Sequence, residues 1–196
     1  MKRITLFAVA AMLVLPAFIL AKKIKVEPAP EAAEIHWLSV DELQAKMNKT
    51  PRKVFIDVYT GWCGWCKKME ATTFKNPDLV KYMNNNFYCV RLDAERKDTI
   101  RFQGKVYYFD PKFKANTFAV ELMNGNMSYP TSIIMLENYQ NPQPIPGYHD
   151  IKEMEPILSY FGDNAFKHQK WEDFQKSYKP TWDHGAAPDM TPPPGH

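Results

Sequence analysis

The chain has 196 residues and a formal net charge of +3, and 45% of its residues are hydrophobic. This composition suits one globular domain with extensions and supplies enough apolar residues for a core. Nothing in so small a net charge favours binding to nucleic acid or to an acidic membrane surface. Three cysteines are too few for a fold that is stabilised by several disulfides.

The N-terminus has the layout of a secretory signal. Residues 1–21 contain two early basic residues followed by the apolar run 4–20, which predicts a signal peptide. The alternative is an uncleaved anchor, although the run is at the short limit for spanning a bilayer and Pro16 interrupts it. In both cases we expect the rest of the chain to be exported, with a bacterial periplasm as the expected destination. Membrane association is expected only if the segment is not cleaved.

A linker and the first two elements follow. Residues 22–34 are rich in Pro, Ala and charge, which indicates a linker, and residues 35–38 are typical of a short strand. Ser39 and Glu42 form a capping-box pattern, which predicts a helix through about Met47.

The central segment, residues 53–69, predicts a strand, a turn and a helix. Its β-branched and aromatic residues favour a buried strand over 54–59, and the helix that begins near Cys63 should reach about Thr73. A cysteine at a helix N-terminus faces unpaired backbone N–H groups and the positive end of the helix dipole, so we expect the pKa of Cys63 to be lowered and its sulfur to be exposed. Cys66 lies on the same face of the first turn and can form a disulfide with Cys63.

The remaining elements follow from caps, turns and apolar runs. Asn76 and Pro77 predict the start of a helix that ends near residues 84–86. The later predictions are a core strand parallel to the first (87–93), an insert with a hairpin and a helix (94–126), a strand (133–136), a Pro-rich edge strand (141–149), a helix opened by Asp150 that Pro156 kinks or delays, a second C-terminal helix (164–178) and a disordered tail (179–196).

Together these motifs resemble the thioredoxin family. Trp62 precedes the first cysteine and Lys67 follows the second, which makes the pattern W-C-x-x-C-K. Asp57 lies six residues before Cys63, where thioredoxins keep a buried acid, and residues 129–131 (Tyr-Pro-Thr) resemble the family's cis-proline loop. The resemblance covers residues 53–161 and implies a thioredoxin-like α/β fold, with a central mixed sheet flanked by helices, over residues 35–178.

The resemblance also implies roles for individual residues. Asp57, between apolar neighbours, would accept the proton of Cys66 during exchange. The Tyr129–Pro130 bond would be cis and would lie beside Cys63, and the dipeptide between the cysteines would tune the redox potential. The residues predicted to bind a protein substrate are Trp62, Gly64, Trp65, Tyr129 and Pro130, with Trp65 the more exposed tryptophan.

The pattern predicts an exported thiol–disulfide oxidoreductase, without a cofactor, that uses Cys63 and Cys66 on protein disulfides or dithiols and needs an upstream redox partner. A structural zinc site is disfavoured, because one CxxC supplies two of four ligands. We favour a reductase; the open alternatives are an oxidase or isomerase, and a binding module or metallochaperone without turnover. Cys89 is interpreted as a buried core thiol, and Arg91 as solvated.

Overall fold

The computed structural model describes residues 34–186, 189–191 and 193. The predicted signal peptide or anchor (1–21) lies outside these residues, as does all but the last residue of the predicted linker (22–34). No helix in the described part of the chain is both long enough and apolar enough to cross a bilayer.

The described residues form nine strands and six α-helices. The strands are β1 (Trp37–Leu38), β2 (Lys53–Tyr59), β3 (Phe87–Asp93), β4 (Ile100–Phe102), β5 (Lys105–Tyr107), β6 (Phe109–Asp110), β7 (Ala115–Asn116), β8 (Thr131–Met135) and β9 (Gln143–Pro146). The helices are α1 (Val40–Met47), α2 (Gly64–Ala71), α3 (Pro77–Asn86), α4 (Thr117–Leu122), α5 (Ile151–Gly162) and α6 (Trp171–Ser177).

A mixed sheet of five strands, in the order β1–β3–β2–β8–β9, forms the centre of the described residues. Strands β1 and β2 both run parallel to β3, whereas β8 runs antiparallel to β2 and to β9. The predicted central mixed sheet, flanked by helices, is therefore confirmed. The parallel pairing of β2 and β3 follows from the α2–α3 connection, which is long enough for a crossover.

Strand β2 separates two apolar clusters, because successive side chains of a strand point to opposite faces. Val54, Ile56 and Val58 pack with α1 and with the insert. Phe55 packs on the other face with Met69 of α2 and with residues of α3 and α5. Asp57 shares the strand parity of Phe55, so its side chain lies on the face that α2 covers.

The insert (94–126) packs beside the end of β2. The Ala94 amide donates to the Tyr59 carbonyl at 2.9 Å, and the Asn116 amide donates to the Ala94 carbonyl at 2.7 Å. Strands β4 and β5 form the predicted hairpin, in which Gln103 and Gly104 both have positive φ, as a tight two-residue turn requires. The insert therefore borders the strand that leads into the CxxC segment.

The C-terminal helices differ in part from the prediction. Asp150 caps α5 with a capping box, and the helix begins at Ile151, so Pro156 does not delay its start. The single helix predicted over 164–178 is wrong: a short 3₁₀ turn, Ala165–Lys167, precedes α6. Asn164 has a left-handed backbone (φ 63°), so no helix runs through it. Lys170 has an extended backbone (φ −73°, ψ 157°), so α6 begins only at Trp171.

The start of the predicted disordered tail packs against α5, and we call residues 181–184 the strap. The fully buried carboxylate of Glu155 accepts hydrogen bonds from the backbone amides of Thr181 (2.6 Å) and Trp182 (3.1 Å), and it also contacts the His184 ring. The Trp182 ring lies 5.2 Å from that of Tyr82 on α3. Composition alone predicts disorder here, but these contacts hold the strap on the domain.

Candidate active site

The two cysteines lie at the start of α2. Cys63 is the N-cap residue, and its sulfur is joined to that of Cys66 by a disulfide, with the two Cα atoms 5.3 Å apart. The backbone amide of Cys66 donates to the Cys63 sulfur at 3.0 Å. An N–H group in this position stabilises negative charge on the sulfur that it contacts.

Both cysteines are covered by the protein in this oxidised state. Cys63 is 1% exposed and Cys66 is 4% exposed, so the expectation of an exposed Cys63 sulfur is wrong here. The bond to Cys66 turns the Cys63 sulfur towards the first turn of α2, where the Cys66 amide caps it. Cys63 is therefore not open to solvent in this state.

Asp57 is a buried acid on the sheet face beneath α2. It is 2% exposed, and burial raises its pKa to about 6, although the nearby Arg91 guanidinium works in the opposite direction. A carboxyl group with this pKa exchanges a proton close to neutral pH.

Arg91 connects Asp57 to the helix that carries the dithiol. Its Nε donates to Asp57 Oδ2 at 3.3 Å, and its two terminal nitrogens donate to the Glu70 carboxylate at 2.5 and 3.1 Å. The interpretation of Arg91 as a solvated charge is therefore wrong. The parallel register pairs Arg91 with Asp57, and this pairing is the signal that sequence reasoning missed.

The proline loop lies beside an exposed tryptophan. The Tyr129–Pro130 bond is cis, and the Tyr129 ring meets the Trp62 ring edge to face at 5.9 Å. Trp62 is 57% exposed and donates from its indole nitrogen to Glu95 at 3.1 Å. The structure therefore brings Tyr129 into contact with Trp62, next to Cys63 in the chain.

Trp65 is the less exposed of the two tryptophans, which reverses the prediction. It is half-buried, and its ring lies 5.2 Å from the Tyr148 ring, with the Lys68 ammonium 4.9 Å from its centre. Gly64, the first residue of α2, is buried. Trp65 packs because Tyr148, which follows β9, reaches it, a contact that the CxxC spacing does not encode.

A groove of about 840 Å³ lies elsewhere, between β9, α5 and α6. Its apolar lining includes Ile145, Ile157, Tyr160 and Trp171. Neither cysteine lines it, so it is separate from the disulfide.

Residues 29–155 match the family model Thioredox_DsbH, which is described as "Protein of unknown function, DUF255". The match spans more than half of the chain and includes both cysteines, Asp57 and Pro130. The chain belongs to the Thioredox_DsbH family. Spermatogenesis-associated protein 20 of Mus musculus is 34% identical over 62 residues, which are 32% of this chain and 8% of the mouse protein. The chain thus matches a small fraction of that relative's length.

Two solved structures are also similar to this Thioredox_DsbH chain. A thioredoxin-fold protein from Helicobacter pylori has a TM-score of 0.45 and 16% identity, covering 64% of this chain and 78% of that one. A structure named DsbH Oxidoreductase has a TM-score of 0.44 and 13% identity, covering 63% of this chain and 80% of that one.

Proposed function

We propose that this Thioredox_DsbH chain is a thiol–disulfide oxidoreductase that acts on partner proteins. The observation that carries the proposal is the disulfide between Cys63 and Cys66 at the N-cap of α2, on the face of the sheet that holds the buried acid Asp57. Disulfide exchange requires an activated sulfur, a second sulfur within bonding distance and a proton acceptor whose pKa lies near neutral pH.

The exchange proceeds in two steps from the reduced protein. The Cys63 thiolate attacks one sulfur of the partner disulfide, that disulfide breaks, and the partner's other sulfur leaves as a thiolate, so a mixed disulfide forms. Cys66 then loses its proton to Asp57 and attacks the Cys63 sulfur, which releases the second partner thiolate. The partner gains two electrons and the chain returns to the disulfide seen here. A dithiol donor upstream must then reduce it again.

The substrate would lie over the exposed Trp62 and the loop at Pro130. The Trp62 and Tyr129 rings form an aromatic surface that suits an extended or unfolded segment. Gly64 and Trp65 border the same helix start. We propose that the partner's segment pairs with the Tyr129 backbone while its disulfide meets Cys63.

Insulin reduction tests the proposal. We expect the wild type to accelerate the reduction of insulin by dithiothreitol, Cys63→Ser to lose this activity and the matched variant Cys89→Ser to keep it, because Cys89 is buried outside the pair. A Cys63→Ser variant as active as the wild type would refute the assignment.

The direction and the location of the chemistry need separate measurements. For a reductase we expect a redox titration to place the Cys63–Cys66 couple nearer thioredoxin, about −270 mV, than the oxidant DsbA, about −120 mV. A potential near that of DsbA would favour an oxidase.

We further propose that the chain is exported. An alkaline phosphatase fused after residue 34 should then be active in a bacterial host, and an inactive, cytosolic fusion would contradict export.

The burial of Cys63 favours one alternative, a thioredoxin-fold module that binds partners without turnover. Cys66→Ala separates the two functions, because an enzyme that attacks through Cys63 accumulates a mixed disulfide when the resolving sulfur is missing. A binding module would retain its partner without forming this covalent adduct.

A further inference from the structure

Arg91 lies between two carboxylates that come from different elements. Asp57 on β2 accepts one hydrogen bond from it at 3.3 Å, while Glu70 on α2 accepts two, at 2.5 and 3.1 Å. The two-bond arrangement is the stronger one for a guanidinium group. Arg91 is therefore held mainly by the helix that begins at the dithiol, and more loosely by Asp57.

The three groups differ sharply in their exposure to solvent. The side chain of Asp57 is 3% exposed, that of Arg91 is 22% exposed and that of Glu70 is 48% exposed. The Arg91 guanidinium also lies 4.5 Å from the centre of the Tyr59 ring. Solvent therefore screens the charge of Glu70 most strongly, whereas the energy of the Asp57 charge is set mainly by the neighbouring protein groups.

Two charged side chains act on Asp57. Arg91 faces it from β3 and Glu70 belongs to α2, while β8 contributes the uncharged Ser132 at the paired position. When Asp57 is ionised, this group of two carboxylates and one guanidinium has a net charge of −1. When Asp57 is protonated, the net charge is zero, because Glu70 already neutralises Arg91.

We propose that Glu70 is a positioning residue that holds Arg91 and neutralises its charge, so that Asp57 keeps the proton affinity required of an acceptor for the Cys66 proton. The catalytic part of this inference rests on the function proposed above. The electrostatic part does not, because it concerns charges and hydrogen bonds within the oxidised protein.

The two partners of Asp57 act with opposite sign. Burial is the main cause that raises the pKa of Asp57, the Arg91 charge lowers it and the Glu70 charge raises it. Glu70→Gln removes a negative charge and leaves Arg91 free to bond Asp57 fully, so the pKa should fall. Arg91→Met removes the positive charge and should raise it. A merely structural role for this ion pair would not produce opposite shifts.

The test is a ¹³C NMR titration of the Asp57 carboxyl in the oxidised full chain. We expect Glu70→Gln to lower the midpoint by about half a pH unit or more and Arg91→Met to raise it. The matched control is Glu121→Gln, which removes an exposed carboxylate that pairs with Lys105 instead and should leave the midpoint unchanged. Glu70 is half exposed, so its variant keeps the experiment decisive even if Arg91→Met fails to fold. An unmoved or raised midpoint in Glu70→Gln overturns the proposal.

A second readout tests the catalytic part. In single-turnover experiments, the pH at which Cys66 resolves the mixed disulfide at half its maximal rate should follow the NMR midpoint in each variant. An NMR shift without a matching shift in this profile overturns the role of Glu70 in the reaction. Loss of the proposed function would instead appear as a failure of the wild type to reduce insulin, which leaves the NMR result intact.

Discussion

Replacing Asp57 by Asn should stabilise the protein at neutral pH, although it removes the proposed proton acceptor. Burial raises the pKa of Asp57 from 3.8 to about 6, so the folded state binds a proton that the unfolded state has lost between these two values. Folding stability therefore falls as the pH rises through this window. At about 1.36 kcal/mol for each pKa unit, the full change is about 3 kcal/mol. Solvent hardly screens this carboxylate, because the side chain is almost completely buried, so the full free-energy change applies.

Urea unfolding of oxidised wild type and Asp57→Asn, at several pH values between 4 and 7.5, measures this change. Asn has no charge to desolvate, so its advantage over the wild type should grow by about 2–3 kcal/mol across the range. Asp98→Asn is the matched control: Arg96 lowers the pKa of this exposed carboxyl from 3.8, so its contribution to stability is lost only below about pH 4 and the variant should keep a nearly constant difference from the wild type across the measured range. A constant difference between wild type and Asp57→Asn would refute the account of a desolvated carboxylate.

Two further predictions concern the strap and the third cysteine. Ending the chain at Lys179 removes the strap's amide donors to the buried carboxylate of Glu155 and should lower the free energy of unfolding by about 2 kcal/mol. Ending the chain at Gly185 keeps these donors and should not lower it. Equal losses of stability in urea unfolding would contradict a stabilising role for the strap. Burial raises the pKa of the Cys89 thiol, so iodoacetamide at pH 8 should modify the reduced Cys63 while Cys89 reacts only after unfolding. Mass spectrometry that finds both labelled at similar rates in the native protein would contradict this.

Several elements were predictable because their signals are local. Ser39 and Asp150 cap α1 and α5 with residues three positions further along, and such short-range hydrogen bonds depend on spacing alone. The strand–turn–helix around Cys63 follows from an apolar run and a helix start within a few residues. The family resemblance added the cis bond at Pro130, which a local pattern does not predict.

Three of the errors arise where residues distant in sequence meet. Arg91 looked solvated because its partner Asp57 is 34 residues away, and only the register of β2 and β3 pairs them. Trp65 looked exposed because Tyr148, which covers it, follows β9. The tail looked disordered because its composition gives no hint of Glu155, a buried acceptor on α5.

By itself, the sequence determined where the capped helices α1, α3 and α5 begin, which face of β2 carries the acid, and which two cysteines can bond, since caps, alternation and a three-residue spacing are properties of neighbouring residues. The tertiary structure alone decided which charges surround the acid, how deeply the sulfurs are covered and what holds the strap. Those properties depend on desolvation and on contacts across the sheet, which arise only when distant segments are packed together.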